Sequence, residues 1–192
     1  LSDEIIEFVS KSKKFVHHFH IPLQSGSDSI LKLMRRRYDS KLYKSRIEKI
    51  NQLMPDASIG ADVIVGFPGE NDDLFLESMD FIDNLNISYL HVFSYSERDN
   101  THAIKLPKTV ELNIRSKRSK LLRILSSRKK STFYNKFLGT THDVLFESEE
   151  KNGFIEGFSP NYLRFRKKWD SKLAGMIVKS RFNKIDSEGY AT

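Results

Sequence analysis

Ala61-Asp62-Val63-Ile64-Val65-Gly66-Phe67-Pro68-Gly69-Glu70 is the stretch that decides the fold. Its first five residues are mostly apolar, as expected for a strand with both sheet faces covered. Gly66 to Glu70 turns the chain, and a helical period over Asp72 to Leu85 follows, with Phe75, Met79 and Ile82 on one face. Strand, glycine turn and helix in that order make a βα unit, and the unit recurs on both sides. Upstream, Phe15 to Ile21 reads as a strand and Gln24-Ser25-Gly26-Ser27 as a polar loop. A helix over Asp28 to Arg36 comes next, which Ser27 or Asp28 can cap. A second helix covers Ser40 to Leu53, with Leu42, Ile47, Ile50 and Leu53 roughly aligned and Pro55 closing it. Downstream, Tyr89 to Phe93 is a third strand, Ser94 to Pro107 is irregular, and a long helix runs from about Val110 to Phe137.

Three βα units are too few to close a barrel, and Ser2 to Phe8 reads as the last helix of a preceding unit. The expected class is therefore α/β, a partial (β/α) barrel over residues 1–137. After Gly139 the pattern changes. Short alternating runs appear at Thr141–Glu147, Phe154–Phe158, Tyr162–Phe165 and Met176–Phe182, punctuated by Gly153, Gly157, Pro160, Gly175 and Gly189. Such spacing suggests a small antiparallel β-barrel over residues 138–192.

Composition agrees with a folded chain. Of 192 residues 39% are apolar and 11% aromatic, fourteen of them Phe, so a core can be buried. A net charge of +7 is a mild argument for an acidic partner such as RNA. No run has the length and apolarity of a membrane span, and the first residues are not a signal peptide. The chain does not begin with Met and is expected to be a piece of a longer protein. It has no cysteine, which excludes disulfides and any thiolate-held cluster within these residues and fits a cytoplasmic origin.

Loops after the carboxyl ends of parallel strands build the sites of βα architectures. Here they are Pro22–Ser27, Gly66–Glu70 and Ser94–Ala103, rich in hydroxyls, glycine-exposed N–H groups, an amide and a carboxylate. Each alone also reads as an ordinary tight turn. His17, His18 and His20 raise a metal reading, but no third convergent ligand is signalled nearby, and hydrogen-bonded histidines are the plainer reading. The expected metal-ligand set is empty.

Taken together, three segments resemble the radical S-adenosylmethionine (SAM) tRNA methylthiotransferases. They are His20-Ile21-Pro22-Leu23-Gln24-Ser25-Gly26-Ser27-Asp28 with Leu31 to Tyr38, Ala61 to Glu70, and Phe93 to Thr101. The resemblance implies a partial radical SAM barrel. It also implies two [4Fe–4S] clusters, whose cysteines are absent here, and cleavage of SAM to a 5′-deoxyadenosyl radical. On its own such a chain is expected to be inactive. By the resemblance Gln24 and Ser25 lie near the ribose or methionyl group, and Arg36, flanked by Arg35 and Arg37, pairs with the SAM carboxylate. Gly66 and Glu70 line the adenine and ribose side, and Tyr95, Ser96 and Arg98 close the far side. Relatives often carry Gly where this chain has Asn100, a residue that tolerates a left-handed backbone.

The stretch Lys105 to Lys130 holds ten cations against Glu111 alone, with Ile114, Leu121 and Leu125 on an approximate stripe. Arg118 and Arg123 are candidate phosphate contacts on this helix, which also reads as a solvated charged helix. The tail resembles the family's TRAM domain, an RNA-binding β-barrel. Gly157-Phe158-Ser159-Pro160-Asn161-Tyr162 is similar to the branch acting on threonylcarbamoyladenosine in tRNA. Asn161, Tyr162, Arg164, Arg166 and Lys168 are the RNA candidates there, and Trp169 serves either stacking or the core. The isopentenyladenosine branch, a ribosomal-protein aspartate branch and a non-catalytic RNA-binding module remain alternatives. Self-association through an open barrel edge is also expected.

Overall fold

The computed structural model describes all residues, Leu1–Thr192, as a parallel sheet with its helices followed by a curled antiparallel sheet. The first helix, α1 (Asp3–Lys11), is capped by Ser2, whose hydroxyl accepts from Ile5 N–H, and buries Ile6 and Val9. β1 (His18–His20), β2 (Ser58–Val65) and β3 (Tyr89–Ser94) form the parallel sheet in the order β1-β2-β3. β1 is shorter than the sequence suggests, since Phe15 and Val16 are both 55% exposed. Beyond Pro22, which has no N–H to give, the backbone still reaches β2 through Leu23 and Gln24 N–H to Asp62 O.

α2 (Asp28–Leu33) stops three residues earlier than its periodicity implies. Arg35 adopts φ 56°, its N–H bonds Lys32 O, and Arg36 N–H bonds Leu31 O. That pair of bonds around a left-handed residue is a Schellman stop. Ser27 precedes the helix without a side-chain cap: its hydroxyl donates to Glu77, while Asp28 accepts from Ser40 N–H. α3 (Ser40–Leu53) has the expected bounds, capped by Asp39. Its buried face differs from the expected one: Tyr43, Ile47 and Ile50 face inward, and Leu42 and Leu53 are about 40% exposed. Tyr43 holds its place because its hydroxyl finds Ile21 O.

α4 (Asp72–Asn84) starts at the Asn71 cap, with Asp72 and Asp73 in its first turn where the helix dipole favours them. Gly26 fits closely beneath α4, where a Cβ would lie 2.6 Å from Ser78 O. α5 (Leu112–Asn135) then covers the free edge of β3 in place of a strand. Ser126 Oγ accepts from Leu90 N–H and donates to Leu90 O, and Arg123 donates to Val92 O. Edge groups that would otherwise invite pairing are thereby satisfied. The buried stripe of α5 is Arg115, Arg118, Ser119, Leu122 and Leu125, not the Ile114–Leu121–Leu125 stripe of the sequence reading. Leu121 is 47% exposed.

β4 (Thr141–Lys151), β5 (Phe154–Phe158), β6 (Arg164–Lys168) and β7 (Ile177–Arg181) form the antiparallel sheet in the order β6-β5-β4-β7. β4 and β5 join through Asn152 and Gly153, both at positive φ, the requirement of a type I′ hairpin. β4 carries an irregularity between Phe146 and Glu150 that bends it. The four strands make a curled half-barrel and do not pair β6 with β7. Ala191 instead bridges to Phe165 and Ile185 at the β6 edge.

Two hydrophobic clusters result. The larger gathers α1, α3, α4 and the parallel strands, the smaller the antiparallel sheet around Phe146, Phe165 and Phe182. α5 belongs to both, through Leu122 and Leu125 at one end and Phe133 and Tyr134 at the other. No helix is long and apolar enough to cross a membrane.

Candidate functional site

The carboxyl ends of the parallel strands open into a cavity of about 490 Å³. Leu33, Met34, Arg35 and Arg36 wall one side, Ile64 and Phe67 the floor, and the segments Phe93–Ser96 and Thr101–Ala103 with Arg98 the far side. Local chemistry explains these placements. The Schellman stop after α2 throws Arg36 off the helix and onto the rim, exposed and with no side-chain partner in the protein. β2 continues the pairing through Tyr95 N–H to Val65 O, which carries the Tyr95 ring over Phe67 in an edge contact 5.2 Å between centroids. The Tyr95 hydroxyl is buried and has no hydrogen-bond partner. An orphaned hydroxyl beside an apolar floor and a free guanidinium suits a ligand with a polar edge, an apolar body and a carboxylate.

The cavity takes in Arg36, Tyr95, Ser96 and Arg98, but the other four residues named for it lie outside its lining. Gln24 is buried at φ 72°, its backbone bonded to β2 on both sides: it accepts from Ile64 N–H and donates to Asp62 O. Ser25 is buried and its hydroxyl accepts from Ser27 N–H. Gly66, at φ 76°, donates to both oxygens of Glu70 at 3.1 and 3.2 Å. Glu70 faces inward to Arg118, with 2.7 Å between Oε1 and the guanidinium. Burial pushes its carboxyl above the usual range, against the opposing pull of Gly66 N–H and Arg118. These four residues shape the loops that carry the cavity wall.

The phosphate candidates divide in the same way. Arg118 is 5% exposed and paired with Glu70 and Asp72, so it is an interior ion pair and not an outer cation. Arg166 is held between Asp186 and Glu188, which keep its guanidinium strongly protonated. Asn161 is buried in the turn before β6, where its Oδ1 accepts from Ser159. Arg123 is spent on Val92 O and Ser119. Tyr162, Arg164 and Lys168 remain open to solvent at least in part. Trp169 packs against the smaller core.

A second cavity of about 450 Å³ lies at the opposite ends of the strands, in the seam between the two sheets, and was not anticipated. Here His18 stacks on Tyr162, centroids 3.9 Å apart and rings nearly parallel, and Tyr162 stacks on Phe158. His18 Nε2 shares a hydrogen bond of 2.9 Å with the Tyr89 hydroxyl. Burial raises that phenol to about 12 and holds the His18 imidazole below its ordinary value, aided by His20 and His91. Lys130 and Arg164 add two cations to the lining. In the sequence, His18 and His20 raised only a metal reading, and Tyr162 and Arg164 only an RNA reading, without a link between them.

No three acidic, histidine or cysteine side chains converge as a metal site. His17 bonds Asp56, His18 bonds Tyr89 and His20 bonds Asp62. With no cysteine in the chain there is no thiolate to hold an iron–sulfur cluster, whereas the rim of the first cavity offers a free guanidinium and an unpartnered hydroxyl.

A family model described as the radical SAM superfamily matches residues 1–82. A threonylcarbamoyladenosine tRNA methylthiotransferase of Bacillus subtilis is 38% identical over 195 aligned residues, 99% of this chain and 42% of the relative. One from Rickettsia prowazekii is 36% identical over 99% of this chain and 43% of its own length. A tRNA-2-methylthio-N(6)-dimethylallyladenosine synthase of Vesicomyosocius okutanii is 36% identical over 95% of this chain and 42% of its own length. The chain thus spans less than half the length of the curated relatives it matches.

Proposed function

We propose that this chain, which fits the radical SAM tRNA methylthiotransferase family, serves that family's reaction as its SAM-gripping and RNA-engaging portion. The reaction proposed is addition of a methylthio group at C2 of threonylcarbamoyladenosine in tRNA. The observation that carries this is the first cavity, whose free Arg36, orphaned Tyr95 hydroxyl and apolar Phe67 floor match the three parts of SAM. SAM supplies the methyl group and, at an iron–sulfur cluster held by thiolates this chain does not contain, the means to activate a C–H bond.

The chain's own residues bind and orient. Arg36 offers a two-pronged grip on the methionyl carboxylate. The Tyr95 hydroxyl donates to a polar edge of the ligand, Ser96 and Arg98 bound the open side, and Phe67 with Ile64 keeps water from the floor. Residues 138–192 form the RNA unit of this reading, with residues 1–137 the cofactor unit. Lys168 and the exposed part of Arg164 meet RNA by charge, beside Tyr162, whose ring is stacked on His18 and Phe158. Relatives of both the threonylcarbamoyl and dimethylallyl kinds match this chain at near-equal identity, so the dimethylallyladenosine substrate is the second reading.

Calorimetric titration of SAM into the chain tests the cavity. Binding that Arg36→Ala and Tyr95→Phe each weaken is the expected result. Binding indifferent to both changes would remove the cavity from the reading.

A further inference from the structure

The first two turns of α5 bury two guanidinium groups more deeply than their apolar neighbours. Arg115 is 3% exposed and Arg118 5%, whereas Leu112 at the same end is 75% exposed. A buried guanidinium is costly unless its donors are matched. Nearly all of these are matched, and mostly by the loops that form the cavity wall. Arg115 donates to Tyr95 O at 2.7 Å, to Val110 O at 2.8 Å, and to both oxygens of Glu97. Arg118 donates to Glu70 O, to Glu70 Oε1 and to Asp72. The loop after β2 and the loop after β3 are thereby tied to one helix. Gly66 is part of the tie, since a Cβ there would lie 2.3 Å from Arg115 Cγ.

The same helix ends in the other core. Phe133 and Tyr134 lie in the cluster of the antiparallel sheet, and the Tyr134 hydroxyl accepts from Arg164 N–H at 3.1 Å. Arg115 and Phe133 are eighteen residues apart, about 27 Å along the axis. No Pro or Gly interrupts Leu112–Asn135, so nothing in the sequence provides a hinge. A displacement of the antiparallel sheet would be carried along α5 to the loops after β2 and β3, which form the floor and the far side of the first cavity.

We infer that α5 is the element through which RNA on the antiparallel sheet regulates the SAM cavity, with Arg115 and Arg118 as its positioning residues. The inference rests on the proposed reading of the two units. It makes the effect reciprocal: whatever factor RNA contributes to cofactor affinity, cofactor contributes to RNA affinity.

The test is a titration of S-adenosylhomocysteine into the full chain, with and without a saturating unmodified tRNA anticodon stem-loop. Amide exchange is followed at Gly66, Glu70 and Tyr95. The expected ratio of the two Kd values is about five-fold or more, tighter with RNA, accompanied by slower exchange at the three amides. Arg115→Lys and Arg118→Lys keep the charge but lose the planar fork. They are expected to bring the ratio toward one while leaving RNA affinity without cofactor unchanged. Glu97→Gln, a milder change at an exposed carboxylate, is expected to fall between. A ratio of one in the unaltered chain, with both ligands bound, overturns the inference and leaves the proposed function standing. A full ratio persisting in both Lys variants also overturns it. Failure of the chain to bind either ligand removes the proposed function and the inference with it.

Discussion

Replacing Arg118 by Met is expected to expose how much of the cavity wall depends on one buried ion pair. Arg118 and Glu70 have side-chain exposures of 5% and 3%, and 2.7 Å separates them. In Arg118→Met the Glu70 carboxylate keeps only Gly66 N–H, at 3.1 and 3.2 Å. Removing one partner of a buried pair costs about 3–5 kcal/mol, because the remaining charge is left unmatched. For a chain of this size that is roughly 6–20 °C in Tm, at about 2–4 °C per kcal/mol. Glu70 can escape the penalty by taking a proton, and burial already favours this by raising its pKa in the fold. The fold then binds that proton more readily than the unfolded chain does, so this group's contribution to stability declines as pH rises through the raised pKa. Without Arg118 the pKa rises further. The loss in Arg118→Met should therefore be smaller near pH 5 than at pH 8. Glu70→Gln placed on Arg118→Met should recover part of it, since an amide has no charge to strand. Thermal unfolding followed by circular dichroism, for both single variants and the double variant at the two pH values, measures all of this. A cost below about 1 kcal/mol at pH 8, or losses that simply add in the double variant, would refute the reasoning.

Four further outcomes are expected. Arg36→Ala, on the exposed rim, should leave stability within about 0.5 kcal/mol while weakening SAM binding roughly ten-fold or more, read by calorimetry. Tyr162→Ala removes ring contacts to both His18 and Phe158 and should cost about 0.5–1.5 kcal/mol for each pair, with weaker RNA binding in a gel-shift titration. His18 is held below its ordinary 6.5 by burial first and then by His20 and His91. Its contribution is therefore present above pH 6.5 and is lost as pH falls from there toward the depressed pKa, a loss that unfolding of His18→Gln should not show. Finally, β1 pairs on one side only and Phe8, Phe15 and Val16 stand exposed nearby, so sedimentation should report concentration-dependent self-association. Phe15→Ser should reduce it.

Much of the fold was legible because hydrophobic period and breakers agree. α3 and α4 emerge within a residue of their periodic bounds, since Asp39 and Asn71 cap them and Pro55 follows the first. The end of α2 was not legible: a left-handed Arg35 stops it, and arginine gives no signal of that in a sequence. The antiparallel runs were visible as strands, but the start of β6 moves from Tyr162 to Arg164 because Tyr162 itself takes φ 61° in the turn. Within the cavity wall, Tyr95, Ser96 and Arg98 lie on the loop after the third strand that the sequence points to, whereas Arg36, just past α2, was named only through the family resemblance. The inward turn of Glu70 and Arg118 could not be read, because a cation-rich helix does not reveal which of its cations answers a buried acid 48 positions away. The seam of His18, Tyr89 and Tyr162 was hidden for the same reason, as its partners are 71 and 144 residues removed from one another's reach in the chain.

The most direct test of the central claim is a chimera in which this chain replaces the matching segment of the Bacillus subtilis relative. The chimera would be assayed anaerobically on tRNA lacking the C2 modification, with nucleosides read by mass spectrometry. A methylthio mass gain on threonylcarbamoyladenosine, abolished by Arg36→Ala, is the expected result. SAM cleavage without a methylthio product on any tRNA would contradict the account.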